Sequence, residues 1–253
     1  MIEKNAQTPA LQTPRVSPQI ASALAEPAKR GKAGFDELLA IANRESALKP
    51  TAQSKNSTAT GLFQFTEQTW FDLVRSHGAK YGIGDMAKKI AKDQTTGRNE
   101  VPSQEDRAAI LALRKDPKIA AALAGELTER NRNSLQKVLG REPTYQEVYA
   151  AHFLGARGAI RLIKAAEESP DTPSNKLLPT AANANRAVFH DREARRFRTA
   201  GEVAQRLEVA QTANPASQTS TQPGRRDYLD GIATVRGGQA PVLSSLLQAQ
   251  LAS

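Results

Sequence analysis

The chain has 253 residues, enough for one sizeable core, and its 39% hydrophobic content with only 5% aromatics suits an alanine-rich helical domain. It has no cysteine, which excludes disulfides and thiol catalysis and leaves the redox compartment open. The formal charge of +9 suits an anionic polymer, but the Lys and Arg residues are scattered without interleaved aromatics, so no nucleic-acid groove is read and solubility alone accounts for the charge.

Residues 1–32 are rich in Ala, Pro, Gln and Ser, with Pro9, Pro14, Pro18 and Pro27, and are expected to be a disordered N-terminal segment. They hold no apolar h-region, so no secretory signal peptide is expected. No run of apolar residues is long enough to predict a membrane span. A single mainly α domain is expected over 33–211, with its first helical stripe at Phe35, Leu38, Leu39 and Ala42, widened by Ile41. The segment 57–65 allows a short β-hairpin. Phe65, Thr69, Trp70 and Leu73 read as the buried side of the next helix, with Trp70 expected in the core. Between Gly78 and Val101 the pattern weakens into a loop-rich insertion, a weak candidate for the rim of a cleft.

Later helix starts are better marked. Ser103 is an N-cap followed by acids, and Asp116-Pro117 sets a cap and a first-turn proline. The stripe Ile119, Leu123, Leu127 and Leu135 then runs to a stop at Gly140. Thr144 to Glu147 and Thr199 to Glu202 are capping boxes. Residues 155–158 are expected to interrupt the helix opened at Thr144, and 169–173 to form an exposed connection. Asn183 to Phe189 are expected to close the domain. The helix opened at Thr199 is expected to run through Val203, Leu207 and Ala210. From 212 the composition is that of a linker, with one short amphipathic helix near Val242 to Leu251. No strand is confidently predicted and no internal repeat is found.

The chemistry concentrates at Glu45. It lies on the same side of the first helix as Leu38 and Ala42, and a carboxyl beside apolar packing resists ionisation and keeps its proton, as a general acid must. A lone helical Glu is more often solvated or paired, and Arg44 or Arg75 is in reach as a partner. The surrounding pattern says more. Glu45-Ser46, Pro50, Ser54 and Gly61-Leu62-Phe63-Gln64 resemble the soluble lytic transglycosylase family, enzymes of the lysozyme-like superfold. The Pro and Ser offsets match, the Gly-Leu-Phe-Gln element sits one residue late, and Phe63 stands for the usual Met. Thr69-Trp70 also fits. A third family element, Ala-Tyr-Asn-x-Gly, is less regular here: Ala151-His152-Phe153-Leu154-Gly155 puts His152 at the Tyr position and Phe153 at the Asn position. Tyr149, one turn earlier, is an alternative hydroxyl donor.

The resemblance implies a lysozyme-like helical domain and peptidoglycan glycan strands as substrate. It implies Glu45 as catalytic acid and base, and Ser54, Gly61, Leu62, Phe63, Gln64, Tyr149 and His152 as substrate-binding residues. Gln64 offers donor and acceptor to a sugar hydroxyl or acetamido group, and Ser54 to the Glu45 carboxyl or the sugar. No cofactor is implied, and no His, Asp and Glu spacing suggests a metal. The implied reaction cleaves the bond between N-acetylmuramic acid and N-acetylglucosamine with one acid and closes a 1,6-anhydro ring. Glu37, Asp72, Asp85 and Glu100 are available as second carboxylates, so a hydrolytic muramidase stays open. So does a non-catalytic helical scaffold of a secretion or flagellar assembly, given the His152-Phe153 departure. The expected place of action is the periplasm or cell envelope, reached by a specialised secretion, flagellar or virion route.

Overall fold

Caps and stripes in the sequence decide where most of the helices begin, and one long helix decides how they pack. The computed structural model describes residues 16–55 and 57–207. The elements run in the order α1 (Pro18–Lys29), α2 (Phe35–Ser46), α3 (Glu67–His77), α4 (Gly84–Lys88), β1 (Ala91–Lys92), β2 (Asn99–Glu100), α5 (Gln104–Ala112), α6 (Pro117–Leu139) and α7 (Tyr145–Glu168). Then come α8 (Ser174–Leu177), α9 (Pro179–Ala184), α10 (Arg186–Phe189), β3 (His190–Asp191), β4 (Arg196–Phe197) and α11 (Ala200–Arg206). The described chain is therefore mainly α, with two small antiparallel strand pairs. No described helix is long and apolar enough to cross a membrane.

The capping chemistry appears where the sequence puts it. Ser103 accepts from the Asp106 amide, Asp116 from the Lys118 and Ile119 amides, and Thr144 and Thr199 form reciprocal capping boxes. Gly140 ends α6 in the left-handed region. α6 is the spine, with α1 and α7 along it and α2 and α3 against it. Its first turns bury Ala120, Ala121, Ala122 and Ala124, small side chains that let the neighbouring backbones approach. Leu24, Leu38, Leu62, Phe63, Trp70, Leu123 and Phe153 are all buried in one continuous core.

Four expectations change. The stretch 17–32 is not disordered: Ser17 caps α1, Pro18 takes its first turn, and Ile20, Ala23, Leu24 and Pro27 bury a helical stripe. The proline-rich composition masked that periodicity. The segment 53–65 makes isolated bridges, Gln53 to Thr60 and Thr60 to Phe65, rather than a hairpin. The paired strands lie elsewhere, with Ala91 opposite Glu100 and His190 opposite Phe197. The first pair and α4 fall inside the stretch read as loop. The expected interruption within 155–158 is present, confined to Gly155, which leaves helical geometry and kinks α7. The closing stretch 183–189 is split between α9 and α10. Residues 1–15 and the expected linker and terminal helix from 212 onward lie outside the described residues, as does Ala210.

Candidate active site

Glu45 sits in the last turn of α2, where Leu38, Ile41 and Ala42 turn the same face inward. The helix stops two residues later because Ala47 and Leu48 adopt the left-handed region, at φ 51° and 62°. Two consecutive non-glycine residues there are strained and turn the chain sharply. The return loop is tied to the helix by Ser46, whose hydroxyl lies 3.0 Å from Ala42 O and 2.9 Å from Leu62 O and accepts from the Lys49 amide. This gives the Ser after the Glu a physical role: it joins the acid's helix to the Gly-Leu-Phe-Gln segment.

The loop has a second brace that sequence reasoning missed. Arg114 is buried, and its guanidinium donates to Leu111 O, Thr58 O and Phe65 O. Burial pulls its pKa down, with the Glu67 charge opposing. The backbone of Arg114 also fills the space above Gly61: a Cβ on Gly61 would meet Arg114 O at 2.1 Å, and its φ of 88° also demands glycine. The bare face of Gly61 thus admits the backbone of Arg114. No local signal in the sequence links Arg114 to this loop, because its acceptors lie about fifty residues away.

The acid itself is 4% exposed. Burial raises its pKa to about 8, against the opposing effects of the Arg44 charge and a Tyr149 hydrogen bond. Tyr149 donates its hydroxyl to Oε1 at 3.4 Å, while Oε2 is buried without a partner. The Arg44 guanidinium lies over the Tyr149 ring, 4.1 Å from its centre, and so stands near the acid without an ion pair to it. Arg75 is exposed on α3. Burial therefore favours the protonated form of this carboxyl.

The remaining predicted residues separate into three groups. Tyr149, not His152, is the hydroxyl partner of the acid. His152 is 6% exposed; burial lowers its pKa to about 4, partly offset by a hydrogen bond with the Phe63 backbone, and its Nε2 has no partner. The neutral ring stacks on Tyr149 at 6.4 Å between centres. Leu62 and Phe63 are fully buried, so their side chains pack in the core; apolar type at a motif position suits core and binding surface alike. Gln64 turns its Nε2 inward to Gly61 O and Ala52 O, holding the loop, while its side also faces a cavity. Ser54 pairs its amide with Ala59 O, and its hydroxyl does not reach Oε2 of Glu45.

That cavity has a volume of about 220 Å³ and lies between α6, α7 and the end of the loop. Gln64, Asn131, His152, Gly155 and Arg157 are among its walls. Among the described residues, no group of three or more His, Asp and Glu gathers as metal ligands would.

Residues 22–95 match the Transglycosylase SLT domain. The SLT match begins within α1 and includes Glu45, Ser46 and the loop through Phe65. The element Ala151 to Gly155 and Tyr149 lie outside it. At the level of the family, the SLT domain supports a lytic transglycosylase type of function on peptidoglycan.

Proposed function

We propose that this protein cleaves the β-1,4 bond between N-acetylmuramic acid and N-acetylglucosamine in peptidoglycan and leaves 1,6-anhydro ends. Glu45, protonated at rest, gives its proton to the glycosidic oxygen as the bond to the anomeric carbon breaks. The resulting carboxylate then takes the proton of the muramic C6 hydroxyl as that oxygen bonds to the anomeric carbon. The proton returns to Glu45 and no water is consumed. Because the carboxyl is 4% exposed, strand binding has to part the groups above it.

The observation that carries this reading is the buried Glu45, whose pKa is set by burial, Arg44 and Tyr149, with no second carboxylate among the described residues acting on it. The other candidates are engaged elsewhere or exposed. Glu37 is held by Arg132 at 2.7 Å, Asp72 by Arg130 at 2.6 Å and Asp85 by Lys88 at 2.9 Å. Glu100 is exposed in β2. A hydrolase of the two-carboxylate kind needs one of these across the cleft. Digestion of purified peptidoglycan with wild type and Glu45→Gln, followed by mass spectrometry, tests the reading. Anhydromuropeptides are expected from wild type alone. Products heavier by one water, or release by the variant at the wild-type rate, would refute it.

A further inference from the structure

We propose that Arg44 is a positioning residue for the reaction: stacked on Tyr149, it fixes the phenol against Glu45 and sets a positive charge beside the carboxylate that exists between the two proton transfers. This inference rests on the transglycosylase reading above and adds a residue to it.

A reaction run by one acid asks two opposed things of it. The carboxyl must hold its proton until the strand is bound, and it must then persist as an anion until the C6 hydroxyl gives a proton back. Burial serves the first and penalises the second. A direct ion pair would serve the second and spoil the first, because it would drive the proton off before the strand arrives. Arg44 lies between these extremes. Its guanidinium sits 4.1 Å from the centre of the Tyr149 ring, and among the described residues it forms no ion pair with the acid. Burial raises the acid's pKa, and the Arg44 charge acts against it without overcoming it.

The fold builds this arrangement from two helices. Arg44 and Glu45 are neighbours in the last turn of α2, so their side chains leave the helix about 100° apart. The acid goes into the core and Arg44 stays half-buried at its border. Tyr149 arrives from α7 and joins the two: its ring carries the guanidinium, and its hydroxyl donates to Oε1 of Glu45 at 3.4 Å. That distance is long for an O–H donor and suits a neutral carboxyl. Once Glu45 has given up its proton the same bond becomes charge-assisted and draws in. A cation over the ring polarises the phenol and makes its hydroxyl a better donor to that anion. His152, also from α7, stacks on the same ring, but burial keeps it neutral and it adds no charge. Arg75 on α3 is exposed. Arg44 is thus the cation the structure gives to the ionised acid.

The test separates charge from packing. Release of anhydro products from soluble glycan oligomers is followed against pH for the full chain carrying Arg44→Met, which covers the ring without charge, and Arg44→Lys, which keeps the charge. Arg44→Met is expected to lower kcat about tenfold with KM unchanged. It is also expected to move the alkaline limb to higher pH, because a charge that favours the anion is gone. Arg44→Lys is expected to keep the limb in place and most of the rate. Arg44→Met combined with Tyr149→Phe is expected to cost less than the two losses together, since both side chains serve one anion. A carbon-13 titration of the Glu45 carboxyl, which needs no turnover, is expected to show a higher pKa in Arg44→Met. A limb or titration that stays in place, equal behaviour of the Met and Lys variants, or independent losses in the double variant overturns the inference. The transglycosylase reading fails separately, on the absence of anhydro products from wild type.

Discussion

At the scale of single residues, the acid's environment makes its own predictions. Glu45 has a folded pKa of about 8 against an ordinary 4.5. Below pH 4.5 it is protonated in both folded and unfolded chains and has no pH-dependent effect. Between 4.5 and 8 the unfolded chain ionises first, so stability falls as pH rises through that window and levels above it. Glu45→Gln removes this dependence. In urea unfolding the variant is expected to gain on wild type by a few kcal/mol between pH 4.5 and 8; parallel profiles would show that the carboxyl is not held neutral. His152 works in the opposite window, costing stability as pH falls from 6.5 towards 4. Catalysis should decline above about pH 8 as the acid loses its proton. The Tyr149 hydrogen bond favours the ionised carboxyl, so Tyr149→Phe should move that alkaline limb to higher pH, read from the rate of anhydro-product release. A limb that stays in place, or moves down, would remove Tyr149 from the acid's environment.

At the scale of elements, two joints hold the site. Arg114 satisfies three carbonyls of the loop and of its own helix end from a buried position. Arg114→Ala leaves those acceptors unpaired and is expected to cost about 3 kcal/mol in denaturant unfolding. Arg114→Lys should recover only part of that, since one ammonium cannot reproduce the planar fork. The second joint is Gly155. Gly155→Ala is expected to cost about 1–3 kcal/mol by forcing a side chain into a glycine-only region. Relief of that strain by straightening α7 would carry Arg157 away from His152. A variant as stable as wild type would show that the break is not needed.

At the scale of the whole molecule, α1 is part of the core rather than a leader to it. Leu24 is fully buried and α1 lies along α6. A chain begun at residue 33 would uncover Ile20's and Leu24's partners on α6. Each large apolar side chain lost from the core is worth about 2 kcal/mol, so thermal unfolding should occur at least about 10 °C lower. An unchanged melting temperature would restore the boundary at 33.

Local chemistry was legible from the sequence wherever a few neighbouring residues carry the physics. Ser103, Asp116, Thr144 and Thr199 cap helices because a side-chain oxygen and an amide lie within one turn. Glu45 could be singled out because helical spacing puts it beside Leu38 and Ala42, and its motif neighbours keep fixed offsets. Long-range packing decided the rest. Leu62 and Phe63 belong to the core, Gly61 serves the approach of Arg114, and Tyr149 rather than His152 meets the acid, because each outcome depends on which distant segment arrives there. A sequence specifies side chains and their spacing along one element. Which buried atoms find partners, and which, like Nε2 of His152, do not, is set only when the elements close on one another.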